Sequence, residues 1–216
     1  MSVTQEPRET RLSEGAGAAR LDRQSLNLPN LITVSRFVLS IILFVLIDMN
    51  GWWRAAAVVF IVAALTDYLD GYLARKYGQV TVLGRILDPF VDKIIICGAF
   101  IFLQKWENSG VNAWMSFIII ARELLITSLR AFLEQRGKDF SAKWSGKIKM
   151  IVQCVAVPLC LLSLSEPFVA SLPDWFGVDR FRMLRDMTVW ATVGITVYSG
   201  IEYTWRAFRM LAEVRA

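Results

Sequence analysis

A chain of 216 residues, 55% hydrophobic with 8 Trp and 13 Phe, has room for one helical bundle and not for two domains. Its net charge of +5 comes from basic residues grouped in particular loops, which fits anionic lipid surfaces and phosphate substrates; no nucleic-acid-binding motif accompanies it. With no histidine, imidazole is excluded as base or ligand, and Cys97, Cys154 and Cys160 lie in apolar runs without metal-site spacing.

Soluble domains reach similar apolar fractions, so the long uninterrupted apolar runs are what mark a membrane protein. Residues 1–25 are polar and charged and contain no apolar core of a signal peptide; they read as a flexible cytoplasmic tail. Asn27-Leu-Pro-Asn-Leu-Ile-Thr33 enters a first span over 31–47, with Asn30 as a candidate cap after Pro29. Arg36, one turn inside, is expected to snorkel to the boundary, on the same side as Thr33. After a turn with interfacial Trp52 and Trp53, a second span runs from about Arg54 to Arg75. A third runs from Thr81 or Gly84 to Leu103, and Pro89 either opens it or kinks it.

The fourth span, about Val111 to Leu133, carries Arg122, Glu123 and Arg130 in an otherwise apolar stretch. Arg122 and Arg130 share a face, and intramembrane arginines are binding candidates. Glu123 is a poor partner for Arg122, because neighbours on a helix point about 100° apart. Lys147 and Lys149 open a fifth span ending near Ser165, residues 166–185 read as an outer loop, and a sixth span covers Met187 to Trp205. The expected fold is all-α: six transmembrane helices in one membrane domain over 26–210, followed by a tail at 211–216. The basic loops put both termini and the second-to-third-span turn on the cytoplasmic side of the cell membrane.

The chemistry concentrates between spans two and three. Asp67, Asp70, Asp88 and Asp92 lie within 26 residues between apolar runs. An Asp at a helix centre costs about 2.5–3.5 kcal/mol on insertion, so four left unpaired cost on the order of 10 kcal/mol. Asp67 and Asp70 are i and i+3 and Asp88 and Asp92 are i and i+4, so each pair shares a helix face. Hard oxygen donors in this number suit Mg²⁺ or Mn²⁺, with enough ligands for two ions and in-line displacement at phosphorus. Gly71 leaves room for close approach to backbone, and Arg75 offers a planar fork to phosphate. Salt bridges to Arg75, Lys76, Arg85 and Lys93 would explain one or two of the acids but not the ordered set.

Asp67-x2-Asp70-Gly71-x2-Ala74-Arg75-x8-Gly84-x3-Asp88-x3-Asp92 resembles the signature of the CDP-alcohol phosphotransferases at every defining position. That resemblance implies transfer of a phosphatidyl or related group from a CDP-linked donor to an alcohol, with release of CMP. It implies metal ligation by Asp67, Asp70, Asp88 and Asp92, and proton removal from the alcohol by Asp92. A carboxylate of ordinary pKa near 4 is a weak base for that task, so metal or desolvation must assist. It also implies nucleotide contacts at Asn30, Thr33, Gly71, Ala74, Arg75, Thr81 and Gly84, and a homodimer.

Four further segments resemble the bacterial phosphatidylglycerophosphate synthases within this family: 27–33, Leu87-Asp-Pro-Phe-Val-Asp-Lys93, Ile120-Ala-Arg-Glu123 with Arg130, and Trp144-Ser-Gly-Lys-Ile-Lys149. The implied substrates are CDP-diacylglycerol and glycerol 3-phosphate, in a lipid bilayer. The physics agrees, since a dianionic acceptor needs cations and Arg122, Arg130, Lys147 and Lys149 can supply them. A cardiolipin synthase or a phosphatidylinositol phosphate synthase remains an alternative, because the latter also takes a phosphorylated acceptor. An ion-coupled transporter would spread its acids over membrane depth instead of gathering them at one end.

Overall fold

Seven α-helices and one 3-10 turn form the computed structural model, which describes residues 28–77, 82–136 and 144–212, with side chains except at 28–32, 67–77 and 82–88. The helices are α1 (Leu28–Asp48), α2 (Trp53–Tyr77), α3 (Val82–Leu103), α4 (Ala113–Gln135), α5 (Trp144–Ser163), the single-turn α6 (Glu166–Val169) and α7 (Gly177–Ala212); the 3-10 turn is Glu107–Ser109. Among the described residues there is no strand. The expected tail at 1–25 and Thr81 lie outside them.

Several boundaries differ from expectation. Asn30 is inside α1 and does not cap it; Pro29 occupies the first turn, where its missing amide costs nothing. Gly84 is helical, and α3 begins upstream of Pro89, so the proline lies within the helix and supplies no donor to the Arg85 carbonyl. The stretch 166–185 is mostly helix: α7 starts at Gly177 and is 36 residues long, about 54 Å at 1.5 Å per residue. The helix also runs to Ala212, past the expected start of the C-terminal tail.

The buried stripe of α1 explains how the bundle is divided. Thr33, Arg36, Ser40, Leu43 and Ile47 recur at helical spacing and are almost fully buried, while Val34, Val38 and Ile41 face out. That stripe is polar at one end of the helix and apolar at the other. The same gradient runs along α5, from Lys149 and Gln153 to Cys160 and Leu161, whereas α7 alternates buried polar and apolar residues along its length, from Arg185 and Val189 through Thr192 and Thr196 to Tyr203 and Ala207. The larger apolar core therefore lies in one half of the bundle, and the other half keeps more buried polar groups beside a smaller apolar cluster of Ile126, Leu133, Tyr203 and Ala207.

The apolar half is packed around Leu43, Phe60, Phe100, Leu103, Ile119 and Leu161, with Ala56, Ala63, Ala99 and Ala156 allowing close helix approach. Gly98 of α3 lies against Phe44 of α1; a Cβ built there would stand 2.2 Å from Phe44 Cζ. At this end Lys105 bonds Asp48 at 2.6 Å and Trp53 meets Trp106 edge-on with centroids 4.8 Å apart. Arg185, expected in an outer loop, is instead 7% exposed. It donates to the Asn108 carbonyl at 2.6 Å and Ser163 Oγ at 3.1 Å, and pairs with Asp186. Gly110 closes the 3-10 turn with φ 79°, a conformation that favours glycine.

Among the described residues one helix, Trp144–Ser163, is long and apolar enough to cross a membrane, and Trp53–Thr66 is a shorter apolar helix. α4 keeps Arg122, Glu123 and Arg130 within its length, and the first third of α7 carries Asp179, Arg180, Arg182, Arg185 and Asp186.

Candidate active site

The polar half of the bundle gathers the signature. α2 carries Asp67, Asp70, Gly71, Ala74 and Arg75, and α3 carries Gly84, Asp88 and Asp92. Both stretches are helical, so the i, i+3 and i, i+4 spacings hold along real helices. The side chains of Asn30, Asp67, Asp70, Gly71, Ala74, Arg75, Gly84 and Asp88 lie outside the described set. Among the described residues no three His, Cys, Asp or Glu come together as metal ligands. The donor set itself, all carboxylate at helical spacing, fits a hard divalent cation.

Asp92 is described, and its partner is Arg36. Arg36 Nη1 donates to Asp92 Oδ1 at 2.6 Å, across the α1–α3 interface. The arginine does not snorkel; its side chain is 2% exposed, against 37% for Asp92. A guanidinium so buried is tolerated because a carboxylate faces it; removing one partner of a buried pair costs about 3–5 kcal/mol. Thr33, the expected nucleotide contact, is buried one turn earlier on the same helix. Ser40, one turn later, returns its hydroxyl to the Arg36 carbonyl at 2.8 Å.

The second group of predicted residues converges on Glu123. Lys149 of α5 donates to Glu123 Oε1, and Arg122 Nη1 reaches the same oxygen at 3.3 Å. The expectation that Glu123 pairs poorly with Arg122 is thus corrected: Glu123 Oε1 accepts from both Arg122 and Lys149. Arg122 is also held from α7, where Ser199 Oγ accepts from its Nε at 3.2 Å and the Tyr203 ring lies 5.6 Å from the guanidinium carbon. Gly200 makes room for this approach; a Cβ there would be 3.3 Å from Arg122 Cγ.

Arg130 is half-buried, and its Nε has no hydrogen-bond partner among the described groups. Lys93, which sequence reasoning passed over as a salt-bridge candidate, lies within electrostatic reach of Arg130, Arg122 and Asp92. Its adjacency to Asp92 was the available signal. Lys147 is placed apart from Lys149. It is exposed, 5.4 Å from the Trp144 ring, and lines a separate cavity of about 580 Å³ with Tyr198 and Glu202. Residues two apart on a helix point to opposite sides, so one lysine of this pair faces in and the other out.

Among the described residues, a partly exposed carboxylate stands beside a buried cluster with more positive than negative charge. In low dielectric such an excess is stable only with an anion at hand, and a phosphate dianion is the natural complement.

Comparison with known proteins bears directly on this site. A model of the CDP-alcohol phosphatidyltransferase family matches residues 26–198. The chain is 36% identical over 201 residues to a Bacillus subtilis protein named CDP-diacylglycerol–glycerol-3-phosphate 3-phosphatidyltransferase, covering 85% of this chain and 97% of that one. It is 33% identical over 205 residues to a probable phosphatidylglycerophosphate synthase of Mycobacterium tuberculosis, covering 93% and 88%. A Rickettsia felis protein with the same name as the Bacillus one is 30% identical over 186 residues, covering 85% and 95%.

Proposed function

The chain belongs to the CDP-alcohol phosphatidyltransferase family, and on that footing we propose that it transfers the phosphatidyl group of CDP-diacylglycerol to glycerol 3-phosphate, giving phosphatidylglycerophosphate and CMP. The observation that carries the choice of acceptor is the buried convergence of Arg122 and Lys149 on Glu123, with Arg130 and Lys93 nearby. A neutral alcohol would leave that charge without a complement.

The primary hydroxyl oxygen of glycerol 3-phosphate attacks the phosphorus that bears the diacylglycerol. A new P–O bond forms there, the bridging P–O bond breaks, and CMP leaves with the bonding pair. Asp92, held by Arg36, accepts the hydroxyl proton. Arg122, Arg130 and Lys149 bind the acceptor phosphate, while Lys147, on the other side of α5, lines a separate cavity. Asn30, Thr33, Gly71, Ala74, Arg75, Thr81 and Gly84 contact the nucleotide end of the donor. Two Mg²⁺ or Mn²⁺ ions held by Asp67, Asp70, Asp88 and Asp92 would neutralise the pyrophosphate and ease the departure of CMP.

The setting we infer is the cell membrane, crossed six times by α1 to α5 and α7, with both termini and the site on the cytoplasmic side and two copies forming a dimer. Exposed apolar side chains such as Val38, Ile61, Phe117, Ile151 and Ile201, on five different helices, support a lipid-facing surface.

The test is incorporation of radiolabelled glycerol 3-phosphate into chloroform-soluble product by the purified protein in lipid–detergent micelles. We expect incorporation that needs CDP-diacylglycerol, stops with EDTA and returns with Mg²⁺. Folded protein that incorporates nothing under these conditions overturns the assignment.

A further inference from the structure

We propose that Glu123 is the positioning residue of the acceptor-phosphate site, a proposal that rests on the acceptor assignment above. Its carboxylate fixes two cations from different helices, Arg122 of α4 and Lys149 of α5, beside one another. Left alone, two like charges in a buried site repel and their flexible stems separate. One oxygen of Glu123 serves both, so they stay close enough for a single phosphate to reach both.

Donor accounting supports this role. Lys149 gives one of its three ammonium hydrogens to Glu123. Arg122 gives Nε to Ser199 and one Nη1 hydrogen to Glu123. Arg130 adds a buried Nε that has no hydrogen-bond partner among the described residues. The bonds to Glu123 and Ser199 take fewer hydrogens than the ammonium and guanidinium of Lys149 and Arg122 carry. Glu123 is itself buried, at 8% exposure, and its backbone carbonyl accepts from Thr127 Oγ1 at 2.6 Å. Both ends of the residue are anchored.

A residue that only balances charge would behave in the opposite way. Removing its negative charge would make the site more positive, tighten phosphate binding and lower KM for glycerol 3-phosphate. A positioning residue, once removed, lets the cations part and raises that KM.

The experiment measures steady-state kinetics of Glu123→Gln and Glu123→Asp, with inorganic phosphate as a competing anion. For both variants we expect KM for glycerol 3-phosphate to rise at least tenfold, with kcat and KM for CDP-diacylglycerol changed less than threefold. Inhibition by inorganic phosphate should weaken in parallel. Glu123→Asp keeps the charge but is one methylene too short to reach across to α5, so it separates geometry from charge. It also decides the matter if Glu123→Gln does not fold. An unchanged or lowered KM in Glu123→Gln, or a Glu123→Asp enzyme with wild-type KM, overturns the proposal. Lys149→Met is the control for the underlying reading. If it leaves KM for glycerol 3-phosphate unchanged, the acceptor assignment fails, and not merely the role of Glu123.

Discussion

Arg36 and Asp92 show what one residue pair does for this site. Asp92 must be exposed enough to meet substrate yet fixed in direction, and the buried Arg36 holds one of its oxygens from behind. Substitution of Asp92 by Asn keeps the shape of the side chain and removes its capacity to take a proton. Loss of a general base costs about 10²–10⁴-fold in turnover, and Asp92→Asn should fall in or below that range while binding of CDP-diacylglycerol, measured by calorimetry, stays within about threefold. Full activity in the variant would remove Asp92 as the base. Arg36 was misread from sequence for a physical reason. An arginine one turn inside an apolar helix ordinarily reaches back to the interface, and its partner here lies 56 residues away.

Helices are positioned by contacts that tolerate little change. Gly98 admits the Phe44 ring, which is stacked on Phe102 with centroids 5.1 Å apart and has little freedom to move. Gly98→Ala should therefore destabilise the protein by about 1–3 kcal/mol through overpacking, seen as a lower thermal midpoint in detergent, and Phe44→Leu should restore part of the loss. A midpoint at the wild-type value would show that α1 and α3 can shift apart freely. At the end of the bundle away from the signature, Arg185 ties α7 to the 3-10 turn and to the last turn of α5. Arg185→Met should cost about 1.5–3 kcal/mol, the range for hydrogen bonds to charged groups, with KM for both substrates unchanged in the surviving enzyme. The early start of α7 was hidden in the sequence because Asp179, Arg180, Arg182, Arg185 and Asp186 look like a solvated loop. The helix forms because Phe181 and Arg185, one turn apart, both point inward.

At the scale of the molecule, the reading from sequence was strongest where spacing alone carries meaning. The spacing of Asp67, Asp70, Asp88 and Asp92 requires helices on both sides of residues 78–81, and α2 and α3 supply them. The apolar runs correctly required an all-α bundle with α3 ending at Leu103. What sequence could not supply was the pairing between helices. Glu123 turns toward α5 because of Lys149, 26 residues on, and no local rule contains that information. The separation of Lys147 from Lys149 was within reach, since helical geometry alone sends them to different sides. The polar-to-apolar gradient along α1 and α5 ties these local facts together: the larger apolar core occupies one half of the bundle, and the buried cations Arg36 and Lys149 lie in the other.

The measurement that tests this account most directly is CMP release from CDP-diacylglycerol in the presence of Mg²⁺, compared across glycerol 3-phosphate, inositol 1-phosphate, phosphatidylglycerol and no acceptor. Release with glycerol 3-phosphate and with none of the others is the predicted result, and fixes both the reaction and the task of the Arg122–Lys149 cluster. Release driven by inositol 1-phosphate or phosphatidylglycerol instead would leave the family chemistry intact and contradict the acceptor assigned here.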